Sequence, residues 1–160
     1  MSNAMVQYNR AEAQQAYQRL QVTLTRDDLQ TAIVEIKAFL KMFPDVALAC
    51  NDLAVLYHQA GDKLKALACY EKANRLQPGT PAIIQNLAEF YFVELGWTDD
   101  AITMLTDLLK SYPQDFSLLT ALGAISSRIG RADEAQMFYR RALELDPTHQ
   151  GVRDALAALG

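Results

Sequence analysis

The sequence predicts an all-α protein, a row of stacked helix–turn–helix units, and three observations predict it. Four of the five prolines, Pro44, Pro78, Pro113 and Pro147, recur at steps of 34, 35 and 34 residues. Each of these lies 12 residues after an alanine: Ala32, Ala66, Ala101 and Ala135. Gly61, Gly96 and Gly130 each stand five residues before one of the last three alanines. A period of this length marks identical helical units that bury one another's apolar sides, with no single core around an active site. No segment sustains period-two alternation, so no strand is predicted.

The elements follow in order. Helices are expected at about 8–25, 29–42, 45–60, 63–76, 80–95, 99–111, 115–129, 132–145 and 148–159. In the first helix of each unit the apolar stripe sits at i, i+3, i+4, i+7. It reads Cys50, Leu53, Ala54, Tyr57, then Ile84, Leu87, Ala88, Tyr91, then Leu119, Leu122, Gly123, with Ser126 in place of the aromatic. The small residue in each stripe lets a neighbouring helix come close. The glycine closes the first helix in a left-handed cap. Asp62, Thr98 and Asp133 stand where the second helix takes an N-cap or a first-turn anion. An aromatic or aliphatic residue four after the marker alanine (Ile36, Tyr70, Leu105, Tyr139) continues the packing, and the proline stops the helix.

Composition limits the function. Of 160 residues 51% are hydrophobic, which excludes a disordered chain. The net charge of −4 and a pI near 5.1 argue against a nucleic-acid binder. No apolar run approaches the roughly 18 residues a membrane span needs. Residues 1–4, Met-Ser-Asn-Ala, read as a cloning remnant before Met5. Cys50 and Cys69 lie among apolar helical neighbours in no metal or redox spacing, and are expected to be buried free thiols. They point to a reducing, cytoplasmic setting, with a trimmed signal peptide as the open alternative.

The quoted residues closely resemble the tetratricopeptide repeat family. Segment 115–148 carries the pattern best, with Leu122-Gly123, Gly130, Ala135, Tyr139, Ala142 and Pro147; segment 46–79 follows, with Leu53-Ala54, Tyr57, Gly61, Ala66, Tyr70, Ala73 and Pro78. Segment 80–114 departs, with one extra residue expected in the Glu94–Trp97 turn and Leu108 in place of the second small residue. The segment before Pro44 has Arg26-Asp27-Asp28 where the others have a turn glycine, and Phe39 in place of the second alanine. The resemblance implies a right-handed α-α superhelix, or solenoid, forming one domain over 5–160. Its units would run at about 8–44, 45–78, 79–113 and 114–147, and helix 148–160 would cover the last one through Val152, Leu156 and Leu159.

Little in the sequence suggests catalysis. His58 and His149 are nearly three units apart, too far to share a metal, and no phosphate loop or nucleophile motif appears. Asp27-Asp28 and Asp99-Asp100 sit at helix starts, where the helix dipole favours anions. No catalytic residue, metal site or cofactor is expected. Segment 79–113 holds Glu89, Glu94, Asp99, Asp100 and Asp107 against Lys110; Arg128, Arg131, Arg140 and Arg141 form a basic cluster. This contrast allows head-to-tail self-association or steering of a partner. Among the aromatics Phe90, Tyr91, Phe92 and Trp97, Tyr91 is the packing residue by register, and Phe90 or Phe92 should approach the surface.

The resemblance further implies that partner peptides or helices bind a concave groove lined by the first helices. Register places Leu48, Asn51, Val55 and His58, then Ala82, Gln85, Glu89 and Phe92, then Ser117, Thr120, Ala124 and Ser127 inward. Asn51, Val55, His58, Gln85, Glu89, Phe92, Thr120 and Ser127 are the expected partner contacts. Asn51, Gln85 and Thr120 at equivalent places would form an uncharged hydrogen-bonding ladder for an extended chain. A subclass of the family grips chaperone C-terminal carboxylates with Lys, Asn and Arg. Here those places hold Asn51, Val55, Asn86, Ser117 and Ala121, and only Asn86 matches. The expected function is thus a protein-interaction scaffold for a neutral or amphipathic segment, not for a chaperone carboxylate. The alternative is the recognition domain of a larger enzyme or secretion machine.

Overall fold

The computed structural model describes residues 9–24 and 28–160. The expectations for residues 1–4, for a helix start at residue 8 and for the Arg26-Asp27 part of the first turn lie outside them. The described residues contain α1 (Arg10–Leu24), α2 (Leu29–Met42), α3 (Ala47–Gln59), α4 (Lys63–Leu76), α5 (Pro81–Phe90), α6 (Thr98–Ser111), α7 (Phe116–Arg128), α8 (Ala132–Leu145) and α9 (Gln150–Ala158). They contain no strand. The fold is therefore all-α, with helix ends close to those read from the repeat.

Local chemistry sets these ends. Asp28, Asp62 and Asp115 cap α2, α4 and α7, their carboxylates accepting the backbone N–H of Thr31, Lys65 and Leu118. Thr98 does not cap α6. It is the first helical residue, after Trp97, and Asp99 and Asp100 supply the first-turn anions. The α3–α4 turn closes on Gly61 at φ 81°, where Gly61 N–H donates to His58 C=O and Asp62 N–H to Tyr57 C=O. The α7–α8 turn repeats this pair of bonds, from Gly130 to Ser127 and from Arg131 to Ser126.

The third helix pair corrects the sequence reading. Its extra residue is not in the Glu94–Trp97 turn. After Phe90 the helix widens into a π-helical turn, Tyr91–Leu95, which absorbs the residue before Gly96 closes it at φ 67°. Trp97 N–H still reaches Tyr91 C=O, one residue further back than in the other turns. The buried residues of α5 differ from the expected stripe. Ile83, Leu87, Ala88 and Phe90 are buried, whereas Ile84 and Tyr91 are only partly so. Phe90 therefore takes the packing role expected of Tyr91, and Phe92 approaches the surface.

The chain divides into two compact units, one ending at Ile83 and one spanning Ile84–Gly160. In the first, α3 packs on α2 and α4, and Ala47, Cys50, Ala73 and Ile83 share a cluster with Leu40 and Leu76. A polar contact lies inside this unit. Tyr17 Oη donates to Asp52 Oδ2 at 2.7 Å and Gln21 Nε2 donates to the same oxygen at 2.9 Å. In the second unit, α7 packs on α6 and α8, and α8 on α9. Leu105, Leu118, Leu119 and Leu122 are its centre, each about 1% exposed or less. Burying each such leucine contributes about 2–3 kcal/mol. Val152 of α9 is buried on this core, and Leu156 and Leu159 pack against it, as expected of a covering helix.

Candidate binding cavity

Each unit carries a sizeable concavity among its described residues. The cavity of the second unit has a volume of about 480 Å³, in the range of ligand sites. Its walls come from α5, the π-helical turn, α7 and α9. Gln85, Asn86 and Glu89 line one side, Ser117, Thr120, Ala121 and Ala124 another, and Gly151, Val152 and Ala155 a third. Leu105, Ile125 and Tyr139 line it from the core. The π-helical turn contributes Phe92 and Val93.

The polar groups of this cavity are arranged in sequence. Ser117 Oγ donates to Gln85 Oε1 at 2.7 Å, tying α7 to α5. That bond uses the carbonyl end of Gln85, a lining residue, and leaves its amide N–H groups as donors. Thr120 Oγ1 donates to the Ser117 carbonyl at 2.9 Å. The guanidinium carbon of Arg128 lies 4.7 Å from the centroid of the Phe92 ring, a cation–π contact between two lining residues. Trp97 packs edge-on against Tyr91, with centroids 5.1 Å apart, and is 47% exposed.

The cavity of the first unit has a volume of about 460 Å³. Arg10, Gln14, Tyr17 and Gln18 of α1 face it, with Val46, Ala47 and Leu48 at the start of α3 and Gln77 and Thr80 after α4. Leu48 is 41% exposed there.

Four of the eight expected contact residues, Gln85, Glu89, Phe92 and Thr120, line the second unit's cavity together. Ser127, also in this unit, does not line it. Asn51, Val55 and His58, all on α3, line neither cavity. Asn51 is 4% exposed, buried beside Asp52, whose Oδ1 accepts from its amide at 3.4 Å. Its side chain is therefore not presented in the way the ladder requires. Sequence reasoning missed Val93 and Tyr139 as lining residues. Val93 is there because of the π-helical turn, and the 35-residue spacing of Pro78 and Pro113 was its signal.

The remaining candidates have local roles. Arg141 donates to the Pro113 carbonyl at 3.0 Å, Arg140 to Gln136 at 3.3 Å, and Arg131 stands 3.6 Å from Glu134, so the basic cluster is partly engaged, with the α6–α7 connection and along α8. His149 caps α9, its Nδ1 accepting the Val152 N–H at 3.2 Å. Cys50 and Cys69 are free thiols. Burial pushes both upward in pKa, Cys69 to about 11, which makes them poor nucleophiles. Among the described residues no group of three or more His, Cys, Asp or Glu side chains could hold an ion, and no helix is long and apolar enough to cross a membrane.

Known proteins place this geometry in a family. Residues 5–157 match the tetratricopeptide repeat family. The chain belongs to that family. It is 31% identical over 99 residues to small glutamine-rich tetratricopeptide repeat-containing protein 2 of Mycosarcoma maydis, covering 62% of this chain and 28% of that protein. It is 30% identical over 95 residues to anaphase-promoting complex subunit 7 of Arabidopsis thaliana, covering 59% and 17%. The chain thus spans less than a third of the length of these curated relatives. Among solved structures, PilF of Pseudomonas aeruginosa shares the fold with a TM-score of 0.80 at 24% identity, covering 94% of this chain and 68% of that one. The first tetratricopeptide domain of Spaghetti (RPAP3), solved bound to an HSP90 peptide, matches with a TM-score of 0.63 at 24% identity over 71% of this chain and 89% of that one. This fold is a protein-interaction scaffold.

Proposed function

We propose that this tetratricopeptide repeat protein holds a segment of a partner protein in the cavity of its second unit and catalyses no reaction. The observation that carries the reading is the joint presence there of Gln85, Glu89, Phe92 and Thr120 around an apolar floor. The amide of Gln85 can satisfy a backbone carbonyl, and Phe92, fixed by Arg128, offers an apolar anchor. π-helical turns are rare and are frequently found at functional sites. Here the turn supplies two lining residues, Phe92 and Val93.

The expected occupant is neutral or amphipathic. Glu89 and Arg128 balance each other among the lining residues, and Asn86, Ser117 and Ala121 provide no cation to grip a C-terminal carboxylate. Val55 and His58 on α3 and Ser127 on α7 are proposed as further contacts, each partly exposed. Two free thiols suit a cytoplasmic setting. A second reading, that this is the recognition part of a larger protein, is favoured by the 12% to 28% share of each curated relative that the match covers.

Selection of a phage-displayed library of random 12-residue peptides tests the cavity. Peptides enriched on the wild-type protein should bind the Gln85→Ala/Phe92→Ala variant at least ~10-fold more weakly, the loss of one anchor and one hydrogen bond. Equal binding to both proteins would move the site elsewhere.

A further inference from the structure

Tyr139 is a lining residue of this cavity whose hydroxyl has no role in the proposed binding. It belongs to α8, behind α7, and is only 6% exposed. It reaches the cavity because α7 has no side chain at Gly123. A Cβ there would stand 2.6 Å from Tyr139 Cε1, 2.8 Å from Cδ1 and 3.1 Å from Cζ. The ring thus occupies the space that any other residue at 123 would fill.

The hydroxyl at the end of that ring is unpaired. Among the described residues none donates to it or accepts from it. Yet none of the described, fully buried side-chain polar atoms lacks a partner. The oxygen is therefore not sealed in the core, and the residue that carries it lines the cavity. Leu105, Ile125, Val152 and Ala155 supply apolar lining to the same cavity. Burial raises the phenol pKa, so the group is a protonated donor at neutral pH. A donor in such a place loses its hydration unless it meets an acceptor.

Charge selects the acceptor. The second unit carries six Lys and Arg (Lys110, Arg128, Arg131, Arg140, Arg141, Arg153) against eleven Asp and Glu, a net charge of 6 − 11 = −5. Glu89 and Arg128 both line the cavity and offset each other there. The negative balance of the unit as a whole disfavours a carboxylate, and an uncharged carbonyl on a short apolar stem is accommodated.

We propose that Tyr139 is a specificity-determining residue: its hydroxyl donates to the side-chain amide carbonyl of a glutamine or asparagine presented by the partner segment in the second unit's cavity. This rests on the cavity being the binding site, and the test separates the two ideas.

The same 12-residue phage library is selected on the wild-type protein, on Tyr139→Phe and on Phe92→Ala. Tyr139→Phe keeps the ring and breaks no hydrogen bond within the described residues, so it should fold; circular dichroism checks this. The wild type should enrich Gln or Asn at one position beside apolar residues, and Tyr139→Phe should enrich Leu or Met there instead. A wild-type-selected peptide should bind Tyr139→Phe about 10-fold more weakly. Its Gln→Met or Asn→Leu version should lose as much on the wild type and little more on Tyr139→Phe, since the two changes remove one shared bond. An unchanged amide preference on Tyr139→Phe, or losses that simply add, would overturn the assignment of Tyr139. This includes the case in which a water molecule takes the hydroxyl. Selected peptides indifferent to Phe92→Ala, or a library with no binder, would overturn the cavity as the binding site and this inference with it.

Discussion

The two units treat a buried tyrosine in opposite ways. In the first, Tyr17 is 1% exposed, and its hydroxyl is closed by Asp52 at 2.7 Å, an oxygen it shares with Gln21. In the second, Tyr139 is 6% exposed and its hydroxyl is bonded to no described residue. A paired buried hydroxyl pins one helix to another, here α1 to α3. An unpaired one at a cavity wall is available to a ligand. Charge differs as well. The first unit, residues 1–83, has nine Lys and Arg against eight Asp and Glu, a net +1, and the second has −5; the sum is the whole chain's −4. The same repeat pattern thus gives one unit a self-satisfied polar contact and the other an open one.

The largest expected effect tests how Tyr139 is held. Gly123→Ala places a methyl group 2.6 Å from the Tyr139 ring and should destabilise the protein by about 3 kcal/mol, read as a lower urea midpoint. Gly151→Ala is the control. Its nearest neighbour is His149 Cε1 at 3.4 Å, and the gain in helix propensity should leave stability unchanged or raised by up to about 1 kcal/mol. A large loss in both would remove the special position of Gly123.

The next effect separates the two hydroxyls. Asp52→Ala strips Tyr17 and Gln21 of their acceptor and should cost about 2 kcal/mol. Tyr17→Phe should cost about 1 kcal/mol, and Tyr139→Phe less than about 0.5 kcal/mol, because no bond among the described residues is lost. Equal costs for the two Tyr→Phe variants would erase the comparison.

Alkali gives a smaller, directional test. Burial, the Asp52 charge and the hydrogen bond to Asp52 together hold the Tyr17 phenol well above its ordinary value near 10. A group raised on folding contributes stability fully present below its unfolded value. That contribution should fall as the pH climbs above 10 and the unfolded phenol ionises first. Tyr139 shifts the same way from burial alone. Urea midpoints measured between pH 9 and 11 should therefore flatten more in Tyr17→Phe than in Tyr139→Phe.

The smallest effect lies in acid. Asp28 is lowered by accepting from Thr31, Asp62 by its bonds to Lys65, and Asp146 by its bonds from Thr148. Depressed carboxylates stabilise the fold above their ordinary value near 3.8, and that contribution is lost as the pH falls below it. Two of the three belong to the first unit. Its amides should lose hydrogen-exchange protection before those of the second as the pH is lowered.

Most of the fold was legible in the sequence, because its signals are local. The proline, alanine and glycine spacing marks helix ends, and Gly61 and Gly130 close their helices as expected. The site was legible in part. Gln85 and Glu89 share a face of α5 by helical register, which the sequence shows, and they meet Thr120 of α7 and Phe92 of the π-helical turn at the cavity. Asn51 has the same register and is buried beside Asp52, which α1 engages through Tyr17 and Gln21. The extra residue of the third segment was visible as a count, but not whether a loop or a widened helix would absorb it.

The sequence by itself determined the family, the order and ends of the helices and the small residues that let them approach, since each depends on neighbours a few positions along the chain. Only the tertiary structure decided that the inserted residue becomes a π-helical turn carrying Phe92 and Val93, and that Tyr139 passes Gly123 to leave its hydroxyl open. Those outcomes are set by atoms of other helices, whose distances no spacing along one segment encodes.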